Sequence, residues 1–306
     1  MNAEQIIRGT GTKSSKMRQL FDLGLTRVEV AELMGVGYGF VQNVYQAYYN
    51  TGRYALSTDF TFNFDRTFGI EIEAFGCNKD RVARELTNNG IRTNHENYNH
   101  QTRDHWKVIH DGSLTGSNSF EVVSPVLQGQ DGLDQLQKVC EVLERLGAKI
   151  NKTCGLHVHI GVSDYGIKDW RRLFLNYIKL EKTIDDFMPV SRRKSNNYYT
   201  KSIVKQDYKN KIENSRNLRD LESTLLRNDR YHKINTKCFW RQNTVEFRQH
   251  SGTVNYDKIS NWVKFVMRLT EYSKTKLANS RQIDKLEFCT DDIKNFYKQR
   301  TQQLSA

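Results

Sequence analysis

Four short stretches of the chain alternate apolar and polar residues with a period of two. They are Gly69-Ile70-Glu71-Ile72-Glu73-Ala74, Phe120-Glu121-Val122-Val123, Gly155-Leu156-His157-Val158-His159-Ile160 and Thr244-Val245-Glu246-Phe247-Arg248-Gln249-His250. Successive side chains of a strand point to opposite faces. Each stretch therefore predicts a strand with apolar groups on one face and Glu, His or Arg on the other. The strands are expected over residues 68–75, 119–123, 155–162 and 244–250, with another over 106–110. Between them the period becomes helical, over residues 79–88, 133–146, 169–188 and 256–276. Leu133, Leu136, Val139, Cys140, Leu143 and Leu146 form one apolar stripe; Ile259, Trp262, Val263, Val266 and Leu269 form another. Strands mixed with helices in this order predict an α+β domain, with an antiparallel sheet curved around a site and helices on its outer face.

Residues 12–50 carry a different pattern, that of three short helices. Met17, Leu20 and Phe21 mark the first, which Gly24 can close. Thr26-Arg27-Val28-Glu29 is a capping box for the second. Val41, Val44, Tyr45 and Tyr48 mark the third, after a turn at Gly35. The arrangement resembles a helix-turn-helix unit, with DNA or a protein as the partner it implies. The third helix, over residues 38–49, holds no Lys or Arg, which weighs against DNA because phosphate contacts dominate DNA affinity. The expected division is a helical module at 1–52, a linker and lead-in strand at 53–67, a catalytic domain at 68–280 and a peripheral polar tail at 281–306.

Charge sharpens this picture. The chain has 306 residues and a net charge of +12, so an acidic or phosphorylated partner is expected. Residues 192–248 hold fifteen Lys and Arg against six Asp and Glu, whereas residues 1–60 hold six against five. The excess lies in the larger domain and not on the helix-turn-helix-like unit. The five cysteines are single, with no CxxC pair, which argues against a zinc ribbon or a disulfide framework. Residues 1–10 are polar and no run reaches a membrane span, so a cytoplasmic location without membrane contact is expected.

The four polar strand faces carry the chemistry. One strand of this kind could present its glutamates to solvent. Four together gather Glu71, Glu73, Glu121 and Glu246 with His157, His159 and His250. If enclosed, such carboxylates repel one another and each costs several kcal/mol to desolvate. Divalent cations remove both costs, and mixed carboxylate and imidazole donors suit magnesium or manganese beside phosphate. Arg192 and Arg193 after the third long helix, Lys233 and Asn235, and Arg248 offer groups for phosphate oxygens. Asp111, in an Asp-Gly turn, could also face the site. There is no P-loop and no kinase signature.

Taken in order, F-G-I-E-I-E, D-G-S-L, F-E-V-V-S-P-V-L, C-G-L-H-V-H-I, S-R-R, Y-H-K-I-N and V-E-F-R-Q-H-S-G-T resemble the amidoligase family. That family belongs to the carboxylate–amine ligase superfamily, with glutamine synthetase and glutamate–cysteine ligase. The resemblance runs over residues 68–277 and leaves the N-terminal module as an addition. It implies a glutamine-synthetase-like sheet and ATP-dependent amide bond formation through an acyl phosphate. By this resemblance Glu71, Glu73, Glu121, His157, His159 and Glu246 hold Mg2+ or Mn2+. Arg192, Arg193, Lys233, Asn235 and Arg248 contact ATP, and Arg248, Glu246 and Glu73 act in catalysis. The substrates implied are a carboxylate and an amine: an amino acid, a peptide or a protein side chain. Two alternatives use the same residues. One is a metal-dependent nuclease or phosphohydrolase aimed by the helix-turn-helix unit, and the other a DNA-binding regulator that senses a metabolite. An appended module and a basic, Asn- and Lys-rich composition suit a phage or other mobile element.

Overall fold

The computed structural model describes residues 3–23, 25, 27–50 and 65–305. The chain divides into two compact units, Met1–Thr61 and Phe62–Ala306.

The first unit is helical: α1 (Ala3–Arg8), α2 (Lys13–Asp22), α3 (Arg27–Met34) and α4 (Tyr38–Asn50). Thr12 caps α2, its hydroxyl accepting from the Ser15 N–H at 3.2 Å. Met17, Leu20 and Phe21 bury against Val30, Val41 and Val44, as the helical spacing requires. The structure adds a helix ahead of the three expected ones, and Ile6 on α1 joins the same core. The Gly24 and Thr26 caps and the linker over 51–64 lie outside the described residues.

The second unit is α+β. Its strands are β1 (Phe68–Ala74), β2 (Thr93–His95), β3 (Trp106–Ile109), β4 (Phe120–Val123), β5 (Leu156–Gly161), β6 (Ile234–Asn235) and β7 (Thr244–Phe247). They form one seven-stranded sheet in the order β2-β3-β4-β1-β5-β7-β6. The expected antiparallel sheet needs one correction: β2 and β3 run parallel, and the other pairs are antiparallel.

Helices α5 (Lys79–Asn88), α6 (Gly129–Arg145), α7 (Ile167–Asp186), α8 (Tyr208–Asn214), α9 (Leu218–Leu226), α10 (Phe239–Gln242), α11 (Tyr256–Ser273) and α12 (Asp291–Ser305) complete the unit. The stripe on α11 packs against β5 and against α6 and α7. Ile70, Ile72, Val158, Ile160, Val245 and Phe247 of the sheet are all buried. Their neighbours in each strand are thereby committed to the opposite face. The segment after residue 280, expected as a peripheral tail, contributes to the core: Leu286 and Phe288 are buried, and Tyr297 of α12 stacks on Phe187 at 4.0 Å. No helix among the described residues is long and apolar enough to cross a membrane.

Candidate active site

Strand register assembles the polar face. Residues opposed across neighbouring strands share a face. Glu71 opposes His157, Glu73 opposes Glu121, and His159 opposes Glu246, which in turn opposes Asn235. Segments up to 175 residues apart in sequence thus place their acids and imidazoles in adjoining rows, from Glu71 to Glu246. They floor a cleft of about 580 Å³, lined by all six expected metal ligands.

The distances are short. His157 Nδ1 lies 3.0 Å from Glu71 Oε2 and 3.5 Å from Glu246 Oε1, and its Nε2 lies 3.6 Å from Glu73 Oε1. His159 Nε2 lies 3.3 Å from Glu71 Oε1 yet makes no hydrogen bond. Two sets of donors each gather within 4.8 Å: Glu71, His157 and Glu246, and Glu73, Glu121 and His157. His157 belongs to both. Gly155 sits close against the edge of this cluster. A Cβ there would stand 2.9 Å from His157 Nε2 and 3.3 Å from Glu73 Oε2, and its N–H donates to Glu73 Oε2 at 2.5 Å.

The electrostatics are those of an enclosed acidic floor. Burial pushes Glu121 well above the usual carboxylate range, and repulsion from Glu71, Glu73 and Asp111 adds to it. Burial also works against ionising Glu71, but its hydrogen bond with His157 and the nearness of His159 hold it well below its ordinary value. Burial likewise opposes charge on His159, while contacts with Cys238 and Glu71 raise it well above the usual imidazole value. Against its own burial, Glu246 is lowered by Arg248 and both histidines. The floor therefore sets close carboxylate–imidazole pairs beside a carboxylate, Glu121, on which burial and its acidic neighbours disfavour charge.

The donor set fits divalent cations. It offers hard carboxylate oxygens in excess, two imidazoles and a buried His159 Nε2 without a hydrogen bond.

The expected phosphate contacts divide. Arg248 lines the cleft and ion-pairs with Glu246; Asn235 lines it and donates to Glu246 Oε2 at 2.5 Å. Arg192 lines it too, 3% exposed, with Nη2 donating to the Cys154 carbonyl and Nε left without a partner. Two of the expected contacts are placed elsewhere. Arg193 turns back to the Met188 carbonyl at 2.8 Å and is not in the lining. Lys233 is fully buried away from the cleft, 3.0 Å from Glu181 and 2.6 Å from Asp185 of α7. His250 also leaves the polar face. β7 ends at Phe247, and the His250 ring lies against Trp262 with burial lowering its value to about 3.

The structure adds wall residues that the sequence reading passed over. The 96–105 segment between β2 and β3 covers the cleft, with Tyr98, His100 and Gln101 in the lining. Lys107 on β3 anchors it from below, its Nζ donating to Asn99 O, Asn99 Oδ1 and Gln101 O at 3.0, 2.9 and 2.9 Å. Gln242 holds the other side through Thr102 at 3.1 Å. A lysine inside the otherwise apolar Trp106-Lys107-Val108-Ile109 was the available signal. Asp111 does line the cleft, and so do Arg230 and Arg241.

Fold and site together give a cleft with an acidic, imidazole-bearing floor and cationic side chains in its lining. The chain belongs to the amidoligase family: the family model described as "putative amidoligase enzyme" matches residues 65–270, more than half of its length. The family is of the ligase kind. No curated protein matches the chain.

Proposed function

We propose that the protein is an ATP- and magnesium-dependent carboxylate–amine ligase working through an acyl phosphate, on a sheet of glutamine-synthetase and glutamate–cysteine-ligase type. The observation that carries this reading is the register that brings Glu71, Glu73, Glu121, His157, His159 and Glu246 into two donor sets sharing His157. These residues would hold Mg2+ or Mn2+, which when bound neutralises phosphate charge.

The rest is work for the protein's own side chains. Arg248, fixed by Glu246, faces the phosphoryl group as it moves, and Arg192 adds charge from a buried position. Glu73 and Glu246 hold the reacting end in place. An oxygen of the substrate carboxylate attacks the γ-phosphorus and ADP leaves. The amine nitrogen then attacks the acyl carbon, inorganic phosphate leaves with that oxygen, and the amine gives up its proton. Positioning and charge stabilisation suffice, and no protein nucleophile is required.

The test is magnesium-dependent ADP formation across pooled amino acids and amines, for wild type, Glu246→Ala and Arg248→Ala. Turnover that needs a carboxylate or an amine and disappears in both variants supports the reading. Phosphodiester cleavage without ATP would instead mark a hydrolase. For the N-terminal unit we propose docking to a protein partner in a cytoplasmic setting, since α4 has no Lys or Arg. A salt-dependent DNA mobility shift would overturn that.

A further inference from the structure

Three tyrosines meet at the edge of the cleft. Tyr198 lies 5.3 Å from Tyr199 and 5.4 Å from Tyr231, ring centre to ring centre, and Tyr199 lies 5.3 Å from Tyr231. A small core would bury such rings. Here Tyr198 is 62% exposed and Tyr199 45%. Single exposed rings are ordinary on a protein surface, whereas a contiguous exposed patch marks a place of interaction. Tyr199 and Tyr231 line the cleft and Tyr198 does not. The aromatic surface therefore runs from inside the cleft to the outside.

The rings are held in place before anything binds. Tyr198 and Tyr199 sit on one turn of 3-10 helix, Tyr198–Thr200, and the Tyr199 N–H donates to Asn197 Oδ1 at 2.8 Å. The next residue ties that turn to the segment leading into β6: the Lys201 N–H donates to Tyr231 O and the Lys233 N–H to Lys201 O, both at 3.0 Å. Side chains fixed in this way lose little freedom on binding.

The charge around them has one sign. Lys201 Nζ stands 4.2 Å from the centre of the Tyr198 ring, shared with Asp229 at 2.7 Å, and the Arg230 guanidinium stands 5.1 Å from that of Tyr231. Residues 192–205 hold five Lys and Arg and no Asp or Glu. Protein interfaces concentrate their binding energy in Tyr and Arg, and a basic surface selects an acidic partner.

Size and chemistry narrow the occupant further. A molecule that reacts over the Glu71–Glu246 floor and also touches Tyr198 must extend out of the cleft. From either lining tyrosine to Tyr198 is the reach of about two residues of extended chain. A nucleic acid would satisfy the charge, but it carries neither the carboxylate nor the aliphatic amine that a ligase of this kind joins. An acidic polypeptide carries both.

We infer that Tyr198, Tyr199 and Tyr231 form a docking surface for an acidic polypeptide substrate, whose reacting group enters the cleft while the chain beside it lies across the rings. That the docked chain is a substrate rests on the ligase reading; the docking itself does not.

The experiment is fluorescence anisotropy of the full-length protein, without magnesium or ATP, against a labelled peptide of alternating Glu and Tyr. A peptide of alternating Lys and Tyr and an oligothymidylate of the same charge as the acidic peptide serve as comparisons. The acidic peptide should bind in preference to both, and more weakly as salt is raised. The Tyr198→Ala/Tyr199→Ala variant should lose at least about tenfold in affinity, and the Tyr198→Phe/Tyr199→Phe variant should retain it, with circular dichroism unchanged in both. No binding by wild type, equal binding of the basic peptide, or full affinity in the Ala variant overturns the inference. An oligothymidylate bound as tightly overturns it in favour of a nucleic acid. Magnesium–ATP is titrated separately. Its loss in the Ala variant with peptide binding intact assigns the rings to the nucleotide and also overturns the inference. Its failure to bind wild type beside intact peptide docking removes the ligase reading and leaves the docking surface standing.

Discussion

Two buried charge clusters lie within one domain, and they are built on opposite principles. The cluster behind the cleft sets Lys233 between Glu181 and Asp185, with Gln249 donating to Asp185 at 2.6 Å and Tyr177 hydrogen-bonded to Gln249. Its polar atoms find partners within the protein. The cluster on the cleft floor sets four carboxylates against two imidazoles and Arg248, with Glu121 left in excess. The closed cluster ties α7 and the Arg192 segment to the end of β7, and so sets where Arg192 and Arg248 stand. The open one gathers carboxylates in excess of the cations around them. Burial of charge alone does not mark a site; burial with an uncompensated sign does.

The largest effect should come from breaking the closed cluster. Lys233→Met leaves two buried carboxylates without their cation and should cost about 3–5 kcal/mol of stability in urea denaturation. A smaller loss would mean that water reaches the cluster. On the open side, Arg248→Ala should lower kcat by about 10²–10³-fold while shifting Tm by no more than about 4 °C, because Glu246 keeps Asn235 as a partner. A parallel fall of Tm and activity would make Arg248 structural.

Magnesium should sharpen the contrast further. At about 100 times its Kd it should stabilise the wild type by about 2.7 kcal/mol in thermal melts. Glu121→Gln should lose most of that gain, yet without metal be as stable as wild type or about 1 kcal/mol more so, the reverse sign of Lys233→Met. The smallest effect concerns the covering segment. Burial opposes it, but hydrogen bonds from Arg103, His105 and Asn99 hold Glu96 down to about 2 from 4.5. A depressed carboxylate contributes stability above its unfolded value and loses it as pH falls toward the folded one. Amides of residues 97–103 should therefore exchange faster, relative to intrinsic rates, between about pH 4.5 and pH 2. Glu96→Gln should flatten that dependence.

The sequence made the floor legible because a period of two is a local property. Glu71, Glu73, His157 and His159 each declare a face through the aliphatic residues on either side. Glu121 and Glu246 do the same. What sequence reasoning missed is non-local. Lys233 precedes Ile234-Asn235 and should by alternation share the face of Asn235. It is drawn instead to Glu181 and Asp185, which lie 52 and 48 residues earlier. Those two carboxylates, spaced four apart on α7, read locally as a solvated helix face. His250 fails for a related reason: the chain leaves the sheet after Phe247, so its alternation no longer counts faces. The polar 96–105 stretch has no periodicity at all, and its role depends on Lys107 beneath it.

The one parallel pair in the sheet has a consequence for how such a protein could change. Parallel neighbours need a connection that returns along the sheet, where antiparallel neighbours need only a tight turn. The return path from β2 to β3 is the 96–105 segment, and it runs over the cleft rather than through the core. Its middle is tied to the sheet by Lys107, which binds two main-chain carbonyls and the Asn99 amide oxygen, while its ends are held by Glu96 N–H on the Val108 carbonyl and by His105 on Asn94. The segment can therefore be rewritten in length and composition while the floor beneath keeps its register. That makes it a natural cassette for diversification, and the first place to graft when a new acceptor is wanted on an unchanged catalytic base.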